Sequence, residues 1–304
     1  MDSTENFAGK PIKPFDWQCC GQGCRPCVFD VYEEELSIWQ KKSQRDEVSF
    51  LQLDMSTDDY TNCEITRLES HCLDTYLFHF QLPKNTKLTF KAGQHVIAKE
   101  NVDSGSISRP YTVISQPGTV NQFSLLIKTY QLGAMSAIIR NKWVPGYQVA
   151  CRGPIGSLPY QENSYRNVIL IAAGTGIAPL YQLAKTIVNN EEDETRVTLL
   201  FSCRSYKTIP LREEIHSMQS FWNFSVSYFL SDDVRCHDEK QQHKHDETVY
   251  YSRLTEDILL QEMNRISKTR DVSFVYLCGS KTFEKEMASY LKKSGIDSSC
   301  IVTF

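Results

Sequence analysis

One stretch of the chain leaves little freedom in how its surroundings fold: Val168 to Val188, VILIAAGTGIAPLYQLAKTIV, where an evenly apolar run breaks at Gly174-Thr175-Gly176 and resumes as a helical pattern with Pro179 in its first turn. A short apolar run without polar alternation predicts a strand covered on both faces, as in a parallel sheet flanked by helices. Glycines at the break let backbone approach a ligand, and the helix N-terminus behind them offers unpaired N–H groups and a positive dipole end. Pro179 suits a first turn because its missing N–H has no partner there anyway. A G-x-G turn also serves purely structural ends, and Pro179 stands where G-x-G-x-x-G has its last glycine.

The same alternation continues downstream. Val197 to Phe201, Phe224 to Leu230, Phe274 to Cys278 and Ile301 to Phe304 read as strands. Phe283, Met287, Tyr290 and Leu291 follow helical spacing, with Lys292 and Lys293 in the last turn and Gly295 as the stop. Leu259, Met263 and Ile266 repeat the pattern. Residues 160–304 are therefore predicted to form a doubly wound parallel-sheet unit, whose ligands sit at the carboxyl ends of the strands. The charged run Asp232 to Glu247 is predicted to be an exposed loop.

Residues 59–159 read differently. Thr75 to Gln81, His95 to Ala98, Tyr111 to Ile114, Phe123 to Tyr130 and Gln148 to Cys151 are short strand-like runs separated by turn residues such as Ala92-Gly93 and Pro145-Gly146. That pattern predicts an antiparallel sandwich or barrel, interrupted by one helical patch, Met135 to Asn141. Residues 1–58 form a third segment, with four cysteines in nine residues and a short amphipathic helix predicted from Tyr32, Leu36 and Trp39.

Composition bounds what such a chain does. Its 304 residues carry 33 Lys+Arg against 37 Asp+Glu, a net charge of -4, which argues against nucleic acid as a partner. No window approaches the roughly 18 apolar residues of a membrane span, and the start, MDSTEN, lacks the basic and apolar regions of a secretory signal. The 11 cysteines are an odd number and unevenly spread, unlike a secreted disulfide framework. The expectation is a soluble protein with no intrinsic membrane span, intracellular and cytoplasmic, with peripheral membrane association left to a partner.

Chemistry concentrates at a few places besides the glycine turn. In Arg109-Pro110-Tyr111-Thr112 an arginine can clamp a diphosphate, a tyrosine can lie against a flat ring, and proline fixes the backbone between them. A surface arginine beside a core tyrosine gives the same tripeptide. Lys128 is a cation in an apolar strand, and Gly133-Ala134-Met135-Ser136 can open a helix toward a second phosphate. No Ser-His-Asp arrangement and no H-E-x-x-H is found.

Arg109-Pro-Tyr-Thr, Ile127-Lys-Thr-Tyr, Gly133-Ala-Met-Ser, Arg152-Gly-Pro-Ile-Gly, Gly174-Thr-Gly-Ile-Ala-Pro and Cys278-Gly, in this order over about residues 60 to 304, resemble the NADH-cytochrome b5 reductase family. The resemblance implies an antiparallel six-stranded FAD-binding β-barrel followed by the nicotinamide-binding α/β domain. It implies FAD as cofactor and NADH as co-substrate, with NADPH left open by Arg204. It further implies electrons passed singly to a haem protein such as cytochrome b5.

On that mapping Arg109 binds the flavin diphosphate, Tyr111 packs on the isoalloxazine, and Thr112 hydrogen-bonds near the ring. Lys128 lies near the flavin or the incoming nucleotide, and Met135 and Ser136 offer donors to the diphosphate. Pro110, Leu126, Gly174, Gly176 and Gly279 complete the cofactor-binding set. Thr175 lines the nicotinamide site, and Cys278 stands where hydride passes; with Tyr111 these two form the implied catalytic group, acting by positioning. The chain departs from the family pattern at Ala134, Ala178 and Ser280. Ser231-Asp232 stands where NADH-selective members carry an acid. The competing expectation is a nucleotide-sensing or scaffold protein with little turnover.

The first segment, Lys13-Pro-x-x-Trp-x-Cys-Cys-Gly-x-Gly-Cys-x-x-Cys-Val-x-Asp-x-Tyr, resembles a short cysteine-rich oxidoreductase-like module outside the ordinary reductase core. Cys19, Cys20, Cys24 and Cys27 are enough thiolates for zinc or an iron-sulfur centre. Their crowding suits one tetrahedral site poorly, so a thiol-rich docking or redox segment is the favoured reading and no metal is assigned. Cys236, His237, His243 and His245 are read as a solvated loop, and His95 as a structural hydrogen-bonding residue.

Overall fold

The computed structural model describes residues 10–21, 23–42, 54–84, 86–103, 105–116, 121–232, 247–267 and 273–304. Helix α1 (Val28–Lys42) follows the cysteine segment. The stripe predicted from Tyr32, Leu36 and Trp39 is only partly covered, and Val28 and Val31 are the buried pair. Full burial is confined to the first turn, and the rest of the helix is partly covered. Farther along, the Tyr60 phenol donates to Glu35, and Glu34 lies 3.4 Å from the wholly buried Arg152 side chain.

Strands β1 (Thr61–Cys72), β2 (Thr75–Gln81), β3 (His95–Val102), β4 (Gly105–Thr112) and β5 (Gln122–Lys128), helix α2 (Ala134–Lys142) and strand β6 (Gln148–Ile155) make the first unit. The strands pair antiparallel in the order β4-β3-β6-β1-β2-β5. A bridge from Val113 to Leu125 and a bond from Ile114 N to Ser124 O, 2.9 Å, join the two edges, so the sheet closes into a barrel.

The barrel interior is aromatic. Phe80 stacks on Phe123 at 4.9 Å, and Phe78 meets Trp143 edge to face at 5.4 Å. Trp143 directly follows α2, is 1% exposed, and donates from Nε1 to Glu100 Oε1 at 2.7 Å, while the Tyr147 phenol donates to Oε2 at 3.0 Å. Two donors satisfy a carboxylate that burial would otherwise penalise. This anchor at the C-terminal end of α2 fixes where its N-terminus lies.

The second unit comprises β7 (Asn167–Ala173), α3 (Ile177–Val188), β8 (Arg196–Cys203), α4 (Arg212–Met218), β9 (Phe224–Leu230), β10 (Thr248–Tyr250), α5 (Glu256–Ser267), β11 (Ser273–Cys278), α6 (Lys281–Lys293) and β12 (Ile301–Thr303). Its sheet is wholly parallel, in the order β10-β9-β8-β7-β11-β12. The expected doubly wound arrangement is present: along β7, Val168, Leu170 and Ala172 enter one core while Ile169 and Ile171 enter the core on the other face. The chain runs outward from β7 through β10 and then returns to β11 on the other side of β7. That reversal makes the β7/β11 pair the switch point.

Some expectations need correction. The Arg109-Pro110-Tyr111-Thr112 motif ends β4 rather than opening a strand at Tyr111. β4 begins the strand order, and Pro110 sits on this edge, where a missing N–H removes little from the ladder. Glu247, expected in an exposed loop, is buried and accepts from the Tyr206 phenol. The rest of that loop, 233–246, with Cys236, His237, His243 and His245, lies outside the described residues. Trp143→Ala is expected to lower stability by about 3–5 kcal/mol, because it opens a cavity and removes one of two donors to Glu100. Urea denaturation measures this, and a loss below about 1 kcal/mol would refute the anchoring role.

Candidate functional site

The ends of β4 and β5 and the N-terminus of α2 face the carboxyl ends of β7 and β11 across a cleft. Arg109, Pro110, Tyr111, Thr112, Leu126, Lys128, Met135, Ser136, Thr175, Gly176, Cys278 and Gly279 line one cavity of about 250 Å³. Gly174 lines an adjoining cavity of about 550 Å³ that shares Lys128, Thr175, Gly176 and Gly279 with the first. Residues drawn from five places in the chain are thus gathered around one cleft.

On the barrel side the Arg109 guanidinium is buried, donating from Nη1 to Ser108 O at 2.7 Å and from Nη2 to Gln18 O. Lys128 Nζ lies 3.2 Å from Asp74 Oδ2. Helix α2 opens with Gly133 as its N-cap, which carries no capping side chain, so first-turn N–H groups remain available. Ser136 Oγ accepts from Tyr130 N at 3.0 Å and keeps its own proton to donate. Burial raises the Tyr111 phenol well above its ordinary range, so it presents a neutral ring.

On the sheet side Gly174 adopts φ +55°, turning the chain from β7 into α3. A Cβ at Gly176 would stand 2.4 Å from the Cys278 carbonyl oxygen, so only glycine lets these two loops touch. Pro179 is the third residue of α3, within the turn whose N–H groups lack helical partners. At the end of β11, Gly279 N donates to Glu284 Oε1 at 3.2 Å. Burial, reinforced by Glu284, raises the Cys278 thiol, which therefore stays protonated at neutral pH.

The larger cavity continues over the ends of β8 and β9, where Ser202, Arg204, Ser231 and Arg253 line it. Asp232, read as the selecting acid, accepts from the Ser231 hydroxyl at 2.9 Å. Arg253 was not singled out from the sequence, because it follows a three-residue strand that leaves no periodic trace.

Two further features escaped the sequence reading. Tyr130, from the loop after β5, lines both cavities beside Thr175. Cys20, Cys24 and Arg25 of the N-terminal segment line the smaller cavity, a placement that spacing within the segment does not encode. His95, read as a structural hydrogen-bonding residue, instead lines that cavity with its buried Nε2 lacking a protein partner.

The residues fit FAD. Apolar walls from Pro110, Leu126 and Met135, the Tyr111 ring, the Arg109 cation and the uncapped α2 N-terminus provide for a flat ring and a diphosphate, and His95 Nε2 is an unpaired polar atom in the same wall.

Comparison with known proteins agrees with this geometry. Residues 62–160 match the oxidoreductase FAD-binding domain family, residues 170–289 the oxidoreductase NAD-binding domain family, and residues 6–47 the family described as oxidoreductase-like protein, N-terminal. The chain is 32% identical to a mouse protein named NADH-cytochrome b5 reductase-like, over 97% of this chain and 95% of that one. It is 34% identical to the human protein of the same name, over 94% and 92%. Identity to NADH-cytochrome b5 reductase 1 of Dictyostelium discoideum is 30%, over 76% and 77%. In fold it is similar to the cytochrome b5 reductase domain of Ulva prolifera nitrate reductase, with a TM-score of 0.67, 21% identity, and 82% and 99% of the two chains covered. A ferredoxin NADP+ reductase from Neisseria gonorrhoeae gives a TM-score of 0.65 at 17% identity, over 81% and 98%.

Burial, with the Arg152 charge adding to it, pushes His95 down to about 4 from 6.5. Because the folded value lies below the unfolded one, the stability tied to neutral His95 is complete above pH 6.5 and is lost as the pH falls toward 4. The loss is on the order of 3 kcal/mol, at about 1.4 kcal/mol per pKa unit. In urea titrations at several pH values, His95→Gln is expected to flatten this slope, and an unchanged slope would remove His95 from the acid sensitivity.

Proposed function

The chain belongs to the NADH-cytochrome b5 reductase family and is an NADH-dependent flavin reductase; we propose that its acceptor is a haem protein such as cytochrome b5, supplied one electron at a time. The observation that carries this reading is the single cleft in which the barrel edge and the β7/β11 switch point present a diphosphate cradle and a nucleotide turn together. The family relationship supports the haem acceptor, and the odd, scattered cysteine complement supports work inside the cell.

Bound FAD supplies the conversion of a two-electron hydride donor into single-electron output. Arg109 and the first turn of α2 hold the diphosphate, with Ser136 adding a hydroxyl donor. Tyr111 offers the flat neutral face against which a ring is oriented, and Leu126 and Met135 exclude water from that side. Thr175 and the α3 N-terminus receive the nicotinamide nucleotide where Gly176 allows close approach. Cys278, held as a thiol, acts by contact and orientation, since hydride transfer needs no protein nucleophile.

The test is an anaerobic titration of flavin-loaded protein with NADH and, separately, NADPH, followed by mixing with ferric cytochrome b5. Bleaching of the flavin band, faster with NADH, and appearance of the ferrous haem bands are expected. Bleaching without haem reduction would reject the proposed acceptor, and bound nucleotide with no bleaching would favour a sensor over an enzyme. Cys278→Ala is expected to slow flavin reduction by roughly tenfold or more with flavin content unchanged. Stopped-flow mixing with NADH checks this, and an unaltered rate would remove Cys278 from the reaction.

A further inference from the structure

The N-terminal cysteine segment is built into the cleft. Gln18, buried, donates from Nε2 to Ser106 O on β4 at 3.2 Å, and its own carbonyl accepts from Arg109. From there the chain crosses to the other unit: a Cβ at Gly23 would stand 2.2 Å from Lys281 Cγ at the start of α6, and Arg25 Nη1 donates to Thr303 Oγ1 at 3.3 Å. Between these attachments Gly21 and Gly23 adopt φ of +68° and +71°, folding the loop back on itself.

This loop brings its four thiols together as two pairs. Cys20 Sγ lies 3.7 Å from Cys24 Sγ, and Cys19 Sγ lies 3.9 Å from Cys27 Sγ. No group of three or more ligand side chains suited to a metal ion occurs among the described residues. The two pairs also differ in place: Cys20 and Cys24 line the cavity that holds Tyr111, Lys128, Thr175 and Cys278, and Cys24 lines the adjoining cavity as well. The Cys24 thiol is raised, first by its hydrogen bond with Cys20 and then by burial, so it is protonated at neutral pH. A sulfur–sulfur contact of this length closes to a bond of about 2.05 Å by a small movement of a glycine-hinged loop.

We propose that Cys20 and Cys24 form a redox dithiol that exchanges electrons with the flavin site, giving the protein a disulfide-reducing outlet beside its one-electron outlet. The inference rests on the reductase reading above. In the step proposed, the Cys20–Cys24 S–S bond breaks and two S–H bonds form; NADH gives up a hydride, solvent gives up one proton, and the products are NAD+ and the dithiol. The dithiol then reduces an incoming disulfide by exchange, re-forming its own S–S bond and releasing two thiols. The Cys19/Cys27 pair does not line the cavity and serves as the internal control.

The test uses the full flavin-loaded chain oxidised with diamide, freed of reagent and made anaerobic. In Cys19→Ser/Cys27→Ser protein, diamide is expected to lower the mass by about 2 Da, in apoprotein and holoprotein alike, as a disulfide requires. Failure of this disulfide to form, or stoichiometric zinc or iron held by the four thiols of unoxidised protein, would overturn the proposal. Oxidised protein with the inner pair intact is expected to consume about two equivalents of NADH before the flavin is fully bleached, against about one for Cys20→Ser/Cys24→Ser. Acid quenching and maleimide labelling after the first equivalent should place label on Cys20 and Cys24.

One equivalent for both proteins, with those cysteines unlabelled, would overturn the dithiol while leaving the reductase reading intact. Photoreduction of bound flavin with EDTA and light separates the two readings. Labelling of Cys20 and Cys24 after light sustains the redox pair even where NADH fails to bleach the flavin, and absence of label after light overturns it.

Discussion

The geometry of the cleft depends on how the barrel is fastened to the parallel-sheet unit. Gln182, wholly buried on α3, donates from Nε2 to the carbonyl of Ser115 at 2.5 Å, just beyond the end of β4. Around this bond Ile114 and Leu126 of the barrel share one core with Leu180, Leu183 and the inner face of β7. A buried hydrogen bond embedded in apolar contact defines a position more sharply than apolar contact alone, since leaving either partner unsatisfied costs about 1–3 kcal/mol. The consequence reaches the site directly. Thr112 ends the strand three residues before Ser115, and Thr175 precedes α3, so the same fastening sets the Arg109-to-Thr112 edge against the glycine turn.

The N-terminal segment adds a second fastening of a different kind. Gln18 and Arg109 tie it to β4, Arg25 and Gly23 tie it to β12 and α6, and α1 presents Glu34 and Glu35 to Arg152 and Tyr60. Most of these contacts are polar, and they hold Cys20, Cys24 and Arg25 at the cavity wall. The segment therefore contributes walls to the cavities instead of filling a core, which is why thiols from this segment and Tyr111 border the same space.

Much of this was legible in the sequence, for identifiable reasons. Evenly apolar runs with helical spacing between them can be satisfied only by a covered parallel sheet, and the Gly174-Thr175-Gly176 break fixed one end of the cleft. What escaped notice lacked a periodic signal. β10 has three residues and α4 has seven, so both owe their form to neighbours rather than to their own pattern. On α1 the expected stripe of Tyr32, Leu36 and Trp39 is half-buried, while full burial falls on Val28 and Val31 in the first turn, next to the cysteine loop. The two cysteine pairs and the orphaned His95 nitrogen are products of tertiary placement, which spacing along the chain does not record.

The electrostatics of the smaller cavity follow from that same placement. Its titratable wall groups Tyr111 and Cys278 are held neutral by burial, and His95 is neutral above about pH 4 for the same reason. Among the described residues no aspartate or glutamate side chain lines it, whereas Arg25, Arg109 and Lys128 do. Asp74 lies outside this wall, 3.2 Å from Lys128 and accepting from the Thr75 hydroxyl at 3.3 Å. Burial thus suppresses the weakly ionising groups and leaves basic side chains beside a helix N-terminus, so the field inside favours an anion. A diphosphate answers that field, and the neutral Cys278 thiol, phenol and imidazole leave it undiminished.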